Sequence, residues 1–550
     1  MVRTPAAFAL SPASNDQFRQ ARVYSLSQIF ERRLQALQQA EHHHCLRQIR
    51  HGIEKEGLRV TKNSHLPQTC HPEHAGAPLT HPYITTDYSE ALLEFITPAC
   101  QDIGATFSFL EELHGFTLKK MNPAENIWGS SMPPVLEGDE RIPVAWYGTS
   151  NIGQMKHVYR QGLAHRYGKS MQTIAGIHYN FSLPGTFWSL MKTLANDSRE
   201  LIDYQSEGYL ALIRNFRRYS WLLMYLFGAS PAMNRCFLDQ HPDTSLQLES
   251  AGDSTRLMPW ATSLRMSDLG YNNKAQSSLN ICYNKLNNYV EGLWQAVHMP
   301  CTAYERIGLR KNGEYLQLNT NLLQIENEYY SPIRPKRATL SGEKPVVALR
   351  ERGVEYIEVR CLDLNPFLPV GIDAIQAHFL DVFLVFCALR ESPAIEEAEG
   401  KAIARNFEKT VNEGRRPGLM LKQPEQGITL VEWGLELLDQ LSPIATLMDG
   451  VHGTDDFSMS LHQQRRKLTD SEHTPSAQVL NALSRHNHSF IEMSQELARI
   501  HSDYFRQIPL SQSRMEYFSE LARQSLHEQQ AIEAADAIDF DTFLMQYFAD

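Results

Sequence analysis

Two glutamates, Glu54 and Glu56, stand two residues apart in a stretch whose composition predicts a β-strand over residues 53–60. Successive side chains of a strand point to opposite faces, so these two carboxylates share one face. Neighbouring carboxylates repel each other unless a positive charge lies between them. A hard divalent cation with oxygen ligands is the usual source of that charge in proteins. Together with further acids along the chain, this spacing indicates a polynuclear Mg²⁺ site and phosphate chemistry.

A second pair of acids is Asp87 and Glu94. Glu94 lies within another predicted strand over residues 91–97, and Asp87 precedes it. Glu94 has apolar neighbours on both sides, and an ionised carboxylate there is costly unless it is paired or bound to a metal. A metal ligand and an ion pair with a buried arginine both meet this requirement. Asp87 and Glu94 differ by an odd number of positions, so they cannot share a face of one regular strand. Asp87 is therefore predicted to lie in the loop that enters the strand.

Two more segments alternate polar and apolar side chains with the period of a strand. In the first, His178 and Asn180 share the polar face, and in the second Glu358 and Arg360 do so. A lone histidine on a strand is often a core or surface group, and a Glu–Arg pair is often a cross-strand salt bridge. A glutamate for a metal beside an arginine for a phosphate oxygen equally suits phosphoryl transfer.

The elements that would position these residues alternate along the chain. Strands are predicted at 53–60, 91–97, 174–183, 315–326 and 354–363, and helices near 24–50, 103–121, 153–167, 203–226, 288–298 and 371–391. The stretch 333–345, which is basic and punctuated by Pro and Gly, is predicted to be a loop. Beyond about residue 400 the chain becomes mostly helical and highly charged.

The domain organisation follows from the absence of any Pro/Gly/Ser-rich linker. Residues 1–22 are predicted to be a loose N-terminal extension, and 23–550 a single catalytic body. Within that body we expect a sheet core over about 50–400 and a mainly helical part over about 400–550.

The bulk composition excludes several classes of protein. A formal net charge of -11 and a pI near 6.1 argue against a broad nucleic-acid-binding face, which needs clustered Lys and Arg. The longest apolar stretches fall far below the ~20 residues that span a bilayer, so no membrane partner is expected. Eight cysteines without C-x-x-C spacing indicate thiols in a reducing compartment. A cytoplasmic protein is expected.

Several long stretches resemble one family, the proteobacterial glutamate–cysteine ligases (γ-glutamylcysteine synthetases). The matching stretches are spread over most of residues 50–400: Gly52–Val60, Tyr83–Pro98, Ala145–Gly153, Tyr159–Pro184, Leu226–Pro231, Ala261–Gln276, Leu323–Arg337 and Gly353–Pro366. The resemblance fades beyond about residue 420.

The resemblance implies an α+β, glutamine-synthetase-like fold, in which a curved antiparallel sheet forms a funnel with helices packed outside. The implied reaction joins L-cysteine to the γ-carboxyl of L-glutamate with ATP, through a γ-glutamyl phosphate. This is the first step of glutathione synthesis, and glutathione is expected as a feedback inhibitor.

The resemblance also assigns roles to residues. Two or three Mg²⁺ ions, with Mn²⁺ as an alternative, would be held by Glu54, Glu56, Asp87, Glu94, His178 and Glu358. Arg360 looks like the group that meets the transferring phosphoryl. Tyr159, Leu163, Arg265, Tyr271 and Asn180 fall at positions expected to bind the substrates. Arg334, Lys336 and Arg337 either shield phosphates or belong to a solvated loop.

Two rival hypotheses stay open. A related carboxylate–amine ligase would join glutamate to a different amine, and one sequence does not establish selectivity for cysteine. A non-catalytic regulatory protein that binds nucleotide or glutathione would be marked by lost acids. Every matched acid is present in this chain, which favours an enzyme.

Overall fold

The structure is a computed structural model that describes residues 28–549, apart from 242–243, 245, 271–278, 280, 341 and 424–426. The predicted N-terminal extension, residues 1–22, lies outside the described residues. The first described element, α1, covers residues 28–37.

The strands follow in chain order. They are β1 (Arg50–Thr61), β2 (Ile84–Thr86), β3 (Leu92–Ile96), β4 (Glu125–Ile127), β5 (Gly176–Ser182), β6 (Ala232–Asn234), β7 (Glu249–Ala251), β8 (Thr255–Leu257), β9 (Arg310–Lys311), β10 (Glu314–Tyr315), β11 (Ile333–Lys336), β12 (Tyr356–Asp363), β13 (Met420–Lys422) and β14 (Gly427–Thr429).

The helices surround these strands. They are α2 (His44–Arg47), α3 (Ile103–Lys120), α4 (Asn151–Tyr167), α5 (Gly185–Ala195), α6 (Leu201–Phe227), α7 (Arg235–Asp239), α8 (Leu286–His298), α9 (Thr302–Ile307), α10 (Pro345–Arg352), α11 (Ala374–Leu389), α12 (Glu397–Glu413), α13 (Leu430–His452), α14 (Asp456–Thr469), α15 (Pro475–Arg485), α16 (Phe490–Gln507), α17 (Gln512–Ala535) and α18 (Phe540–Ala549).

One large sheet organises the molecule. Seven strands of the described chain form it, in the order β11-β12-β5-β1-β3-β2, and β4 also pairs with β1. Each pairing in this sheet is antiparallel. Within the described residues the two outer strands, β2 and β11, do not meet, so the sheet is open. The predicted α+β class with an antiparallel sheet is confirmed.

The sheet has one apolar face, and helices cover it. On β5, Ile177, Tyr179 and Phe181 are buried, as the period-2 pattern predicts. Helix α3 packs on β1, α6 packs on β11 and β12, and α11 packs against both of these helices. The buried hydroxyl of Tyr179 donates to Asp381 of α11 at 2.8 Å, which ties the sheet to that helix. The opposite, polar face is therefore the one available for chemistry.

Most predicted elements are confirmed, with bounds shifted by a few residues. The predicted strand over 315–326 is wrong, because only Glu314–Tyr315 forms a short strand there. The backbone of this stretch bonds partly to scattered backbone groups of residues 296–309 and partly to side chains, without a regular partner strand. Gln324 accepts from the Leu318 amide at 3.0 Å, and Asn319 donates to the Gln324 carbonyl at 2.9 Å.

Two further predictions need correction. The stretch 333–345 is not simply a loop, because Ile333–Lys336 forms an edge strand and α10 begins at Pro345. An edge position tolerates Pro335, which cannot donate to a ladder. The predicted helix over 24–50 is interrupted: residues 28–37 and His44–Arg47 are helical, and Arg50 already belongs to β1.

The remaining part of the chain is helical as expected. From Glu397 onward the described residues form α12 to α18, with one short hairpin made by β13 and β14. In the portion of the chain that the structure describes, none of the helices combines the length and apolarity that crossing a bilayer requires.

Candidate active site

The pairing register of the sheet places the candidate acids beside one another. Residues directly opposite on neighbouring antiparallel strands project from the same face. The opposite pairs on the polar face are Glu54 with His178, Glu56 with Glu94, Glu358 with Asn180, and Arg334 with Glu358. Five strands that are distant in sequence thus deliver their side chains to one surface.

His178 lies at the centre of this group. Its Nδ1 is 3.1 Å from Oε2 of Glu54 and 3.6 Å from Oε1 of Glu358, and its Nε2 is 3.9 Å from Oε1 of Glu56. One ligand atom each from Glu54, His178 and Glu358 lies within 4.8 Å of the others. Two carboxylates and an imidazole at this spacing could hold one metal ion.

Two amide donors orient the pair of glutamates on β1. The backbone amide of Gly176 donates to Oε2 of Glu56 at 2.6 Å. The side-chain amide of Asn180 donates to Oε1 of Glu54 at 2.8 Å. Asn180, expected to bind substrate, therefore contacts a candidate metal ligand, and its role toward substrate stays a prediction.

Asp87 and Glu94 complete the acidic surface. Asp87 follows the last residue of β2, in the loop before β3, so the prediction of a loop position is confirmed. The hydroxyl of Tyr147 donates to the Asp87 carbonyl at 2.7 Å, and Nη2 of Arg160 lies 3.9 Å from Oδ1 of Asp87. Glu94 sits directly opposite Glu56.

The carboxylates of Glu54 and Glu56 on β1 and of Glu94 on β3 repel one another. Burial raises the pKa of Glu94 well above its usual value, and the neighbouring carboxylates of Glu54, Asp87 and Glu56 raise it further. Burial likewise raises the pKa of Glu56. Carboxylates in this position favour a nearby cation, because only added positive charge lets them all ionise at neutral pH.

Positive side chains surround the acid on β12. Nη1 of Arg360 is 2.9 Å from Oε1 of Glu358, and Nζ of Lys336 is 3.5 Å from its Oε2. Burial opposes ionisation of Glu358, but the charges of Arg360 and Lys336 outweigh it and hold the pKa well below its usual value. The expected salt bridge and the expected phosphate-facing arginine are thus compatible, because Arg360 can serve both.

The other two basic residues of this stretch differ from each other. Arg334 is buried and donates to the carbonyls of Asn327, at 3.1 Å, and Tyr329. Arg337 lies 3.7 Å from Glu355 and is not among the described residues that line the cavity. The phosphate-binding roles of Arg334, Lys336 and Arg337 stay predictions.

The acids and the arginine face one cavity of about 700 Å³. Helix α4 contributes Tyr159 and Leu163 to the lining of this cavity. The predicted site residues that line the cavity are Glu54, Glu56, Asp87, Glu94, Tyr159, Leu163, His178, Arg334, Lys336, Glu358 and Arg360. A volume of this size can hold more than one small substrate.

Arg265 lies against Gly176 of β5 and is not among the described residues that line the cavity. It is 1% exposed, and its Nη2 donates to the Arg360 carbonyl at 2.9 Å. Its Nη1 is 3.9 Å from Oδ1 of Asp363. The pairing of β12 with β5 shifts register between Val359 and Leu362, and Arg360 lies within this irregular stretch. Direct substrate binding by Arg265 stays a prediction.

The space that the Arg265 guanidinium occupies exists because residue 176 is a glycine. A Cβ at Gly176 would lie 2.1 Å from Nη2 of Arg265, so only glycine admits the guanidinium there. Tyr271, the remaining predicted substrate residue, lies outside the described residues.

Several cavity residues were not found by sequence reasoning. Lys156 and Arg160 of α4 line the cavity together with Tyr159. Lys156 and Arg160 are four residues apart and so share one face of the helix. This spacing could have identified them from the sequence. Tyr547 of α18 also lines the cavity, and nothing in its local sequence marks it.

The donor set fits a hard divalent cation. Within the described residues, Oδ1 of Asn180 and Oε2 of Glu358 are buried without a hydrogen-bond partner. Buried polar atoms in proteins normally have one, so these oxygens are available to a ligand. Carboxylate oxygens around one imidazole suit Mg²⁺ or Mn²⁺. The residues that would hold such ions are Glu54, Glu56, Asp87, Glu94, His178 and Glu358.

Known structures share this architecture. A crystal structure of glutamate–cysteine ligase from Francisella tularensis in complex with AMP has a TM-score of 0.84 and 38% identity, covering 91% of this chain and 97% of that chain. A bifunctional glutathione synthetase from Pasteurella multocida has a TM-score of 0.68 and 25% identity, covering 88% of this chain and 57% of that chain.

Sequence comparison gives the same family over nearly the whole length. A glutamate–cysteine ligase of Pseudomonas fluorescens is 52% identical over 525 residues, which are 96% of this chain and 98% of the relative. One of Azotobacter vinelandii is 51% identical over 95% of this chain and 99% of the relative. The family model for glutamate–cysteine ligase matches residues 34–410. This chain belongs to the glutamate–cysteine ligase family.

Proposed function

We propose that this protein joins L-cysteine to the γ-carboxyl of L-glutamate with ATP, as the first step of glutathione synthesis. The observation that carries the proposal is the convergence of five predicted carboxylates, His178 and Arg360 on one cavity. The relatives and a structural neighbour named above are glutamate–cysteine ligases, and that neighbour binds AMP.

The reaction would proceed in two steps. An oxygen of the glutamate γ-carboxylate attacks the γ-phosphorus of ATP, and the bond to ADP breaks, leaving γ-glutamyl phosphate. The amine of cysteine then attacks the acyl carbon, an amide bond forms, phosphate leaves and the amine loses a proton. Both steps gather negative charge on phosphoryl oxygens, so positioned cations are the main requirement.

The basic side chains would meet that charge. Arg360 reaches the cavity while held by Glu358, so its guanidinium is fixed before phosphate arrives. Planar arginine donors match phosphoryl oxygens in pairs. Glu54, Glu56, Asp87, Glu94, His178 and Glu358 would hold two or three Mg²⁺ ions, which would supply positive charge against the developing phosphate charge. Lys336 and Arg334 add positive charge along the same wall.

The amino-acid substrates would bind against α4. Tyr159 and Leu163, four residues apart, present a hydroxyl and an apolar surface to the cavity from one face of the helix. Tyr271, Asn180 and Arg265 remain proposed contributors to this subsite. Glutathione contains the γ-glutamylcysteine unit, so we expect it to compete for the same subsite as a feedback inhibitor. The cysteine spacing continues to favour a cytoplasmic setting.

A steady-state assay with each substrate omitted in turn tests the proposal. Phosphate and γ-glutamylcysteine are measured together, and turnover is expected only with ATP, glutamate, cysteine and Mg²⁺ all present. Alanine and 2-aminobutyrate then replace cysteine. Equal rates with all three amines would reject selectivity for the thiol and favour the related carboxylate–amine ligase.

A further inference from the structure

The C-terminal end of the chain holds the start of helix α4. The backbone amide of Asn151, the first residue of α4, donates to Oδ2 of Asp536 at 2.5 Å, and its side-chain amide donates to the Ile538 carbonyl at 2.9 Å. The amide of Thr149 donates to Oε1 of Glu533 at 2.7 Å. Backbone amides at a helix start lack partners within the helix. Here two acids from the far end of the sequence accept from this turn.

The turn before α4 is shaped for this contact. Gly148 has φ +86, and a Cβ there would lie 2.2 Å from Oε1 of Glu533. A side chain at this position would therefore displace the Glu533 carboxylate, and the positive φ also favours glycine here. The close approach of Glu533 is a specific feature of the turn rather than an incidental surface contact.

Helix α18 then packs along α4. Leu544 of α18 is buried with Met155 and Val158 of α4 and with Leu318, in an apolar cluster separate from the main core. Partly buried Tyr159 packs against the same cluster. Tyr547 of α18 reaches the active-site cavity and also lines a neighbouring cavity of about 880 Å³. The C-terminal segment therefore contacts α4 at its start and along its side.

We propose that residues 533–549 are a positioning element that sets how α4 presents its side chains to the amino-acid substrates. This inference rests on the proposed function in assigning the wall of α4 to those substrates. The segment lies beyond residue 410, where the family model ends. Contacts at its start and along one side restrain the rotation and sliding of α4, and this restraint would hold Tyr159 and Leu163 in position beside the acids of the sheet.

The test uses the full-length chain with Glu533→Ala and Asp536→Ala combined. The matched control is Glu528→Ala, which removes an exposed carboxylate from the same helix α17. Glu533→Gln with Asp536→Asn keeps the hydrogen-bond acceptors and serves as the conservative variant. Leu544→Ala removes a buried side chain from the cluster and tests the second contact independently.

We expect KM for the amino-acid substrates to rise on the order of 10-fold in both disrupting variants, because small displacements of binding groups are costly. KM for ATP and kcat should stay within about twofold of the wild type. The conservative variant should restore most of the affinity. Amino-acid KM values no different from those of the control, or a parallel loss for every substrate, would overturn the proposal.

Hydrogen exchange separates this inference from the proposed function. Amides over residues 153–163 should exchange faster in the disrupting variants and not in the control, whatever the substrates are. If the wild type makes no γ-glutamylcysteine, the proposed function fails while this measurement still decides the positioning role. Unchanged exchange in α4, or an acceleration spread evenly over the chain, would contradict it.

Discussion

Glu54 of β1 and His178 of β5 lie directly opposite each other in the sheet, with Oε2 of the glutamate 3.1 Å from Nδ1 of the histidine. The imidazole therefore joins two acids, Glu54 and Glu358, that come from opposite ends of the family region. A metal ion in this position would place positive charge among these carboxylates.

Replacement of Glu56 tests the metal assignment. Glu56→Gln keeps the size of the side chain but removes one anionic ligand, so we expect activity to fall on the order of 100-fold. The Mg²⁺ concentration that gives half-maximal activity should rise, as measured by titration. Glu436→Gln, at an exposed position of α13, is the control. Unchanged turnover and unchanged Mg²⁺ dependence would show that Glu56 is not a ligand.

Replacement of Glu94 should stabilise the metal-free protein. The pKa of Glu94 is raised well above its usual value by burial and by Glu54, Asp87 and Glu56, so its ionised form disfavours folding. Each unit of such a shift corresponds to about 1.4 kcal/mol, and Glu94→Gln removes this cost at neutral pH. With a chelator present, urea unfolding should show a higher free energy of unfolding than the wild type. The difference in free energy of unfolding between Glu94→Gln and the wild type should shrink when Mg²⁺ is added. Equal values with and without Mg²⁺ would contradict the explanation that repulsion among the acids destabilises the metal-free protein.

Arg360→Lys tests the phosphoryl-facing role. Lysine keeps the charge beside Glu358 but lacks the planar pair of donors, so kcat should fall on the order of 100-fold while KM for the amino acids changes little. Initial rates over a matrix of substrate concentrations measure both quantities. Arg416→Lys, which is exposed and pairs with Glu413 at 2.9 Å, should behave as the wild type. A rise in KM without a change in kcat would assign Arg360 to ground-state binding instead.

Arg265→Met separates a structural role from substrate binding. The guanidinium is 1% exposed between Asp363 and the Arg360 carbonyl, and removing one partner of a buried pair typically costs about 3 kcal/mol. We therefore expect a clear drop in the urea midpoint, measured without substrates. An unchanged midpoint combined with a raised KM would instead support the direct substrate contact predicted from the family resemblance.

The pair formed by His51 and Asp381 predicts a pH dependence of stability. Burial alone would lower the pKa of His51, but the nearby carboxylate of Asp381 outweighs it, and the pKa is raised. A raised histidine pKa gives stability that is full below about pH 6.5 and is lost as the pH rises through the folded-state pKa. Asp381→Asn should reduce this dependence between pH 6 and 9, as measured by urea unfolding.

A surface histidine provides the comparison for that measurement. His462→Gln, at an exposed position of α14, should leave the pH profile as it is in the wild type. A wild-type profile that is flat over this range would contradict the stabilising pair.

The period-2 alternation of polar and apolar residues predicted the strands of the site correctly but failed in an irregular segment. The shared face of Glu54 and Glu56, the loop position of Asp87 and the polar faces of β5 and β12 follow from a period of two, and each is confirmed. The stretch 315–326 misled the same reasoning, because its backbone bonds to scattered groups of residues 296–309 and to side chains such as Gln324 instead of a regular partner strand. Periodicity reports burial and does not report whether a partner strand exists.

By itself, the sequence determined which residue types face the polar side of each strand, the positions of the long helices and, through the family resemblance, the chemistry to expect. Only the tertiary structure decided that Glu54 pairs with His178, that Arg265 donates to the Arg360 carbonyl, and that Tyr547 reaches the cavity. The reason is physical: the direction of a side chain depends on the backbone within a few residues, whereas register and helix docking depend on the packing of segments hundreds of residues apart.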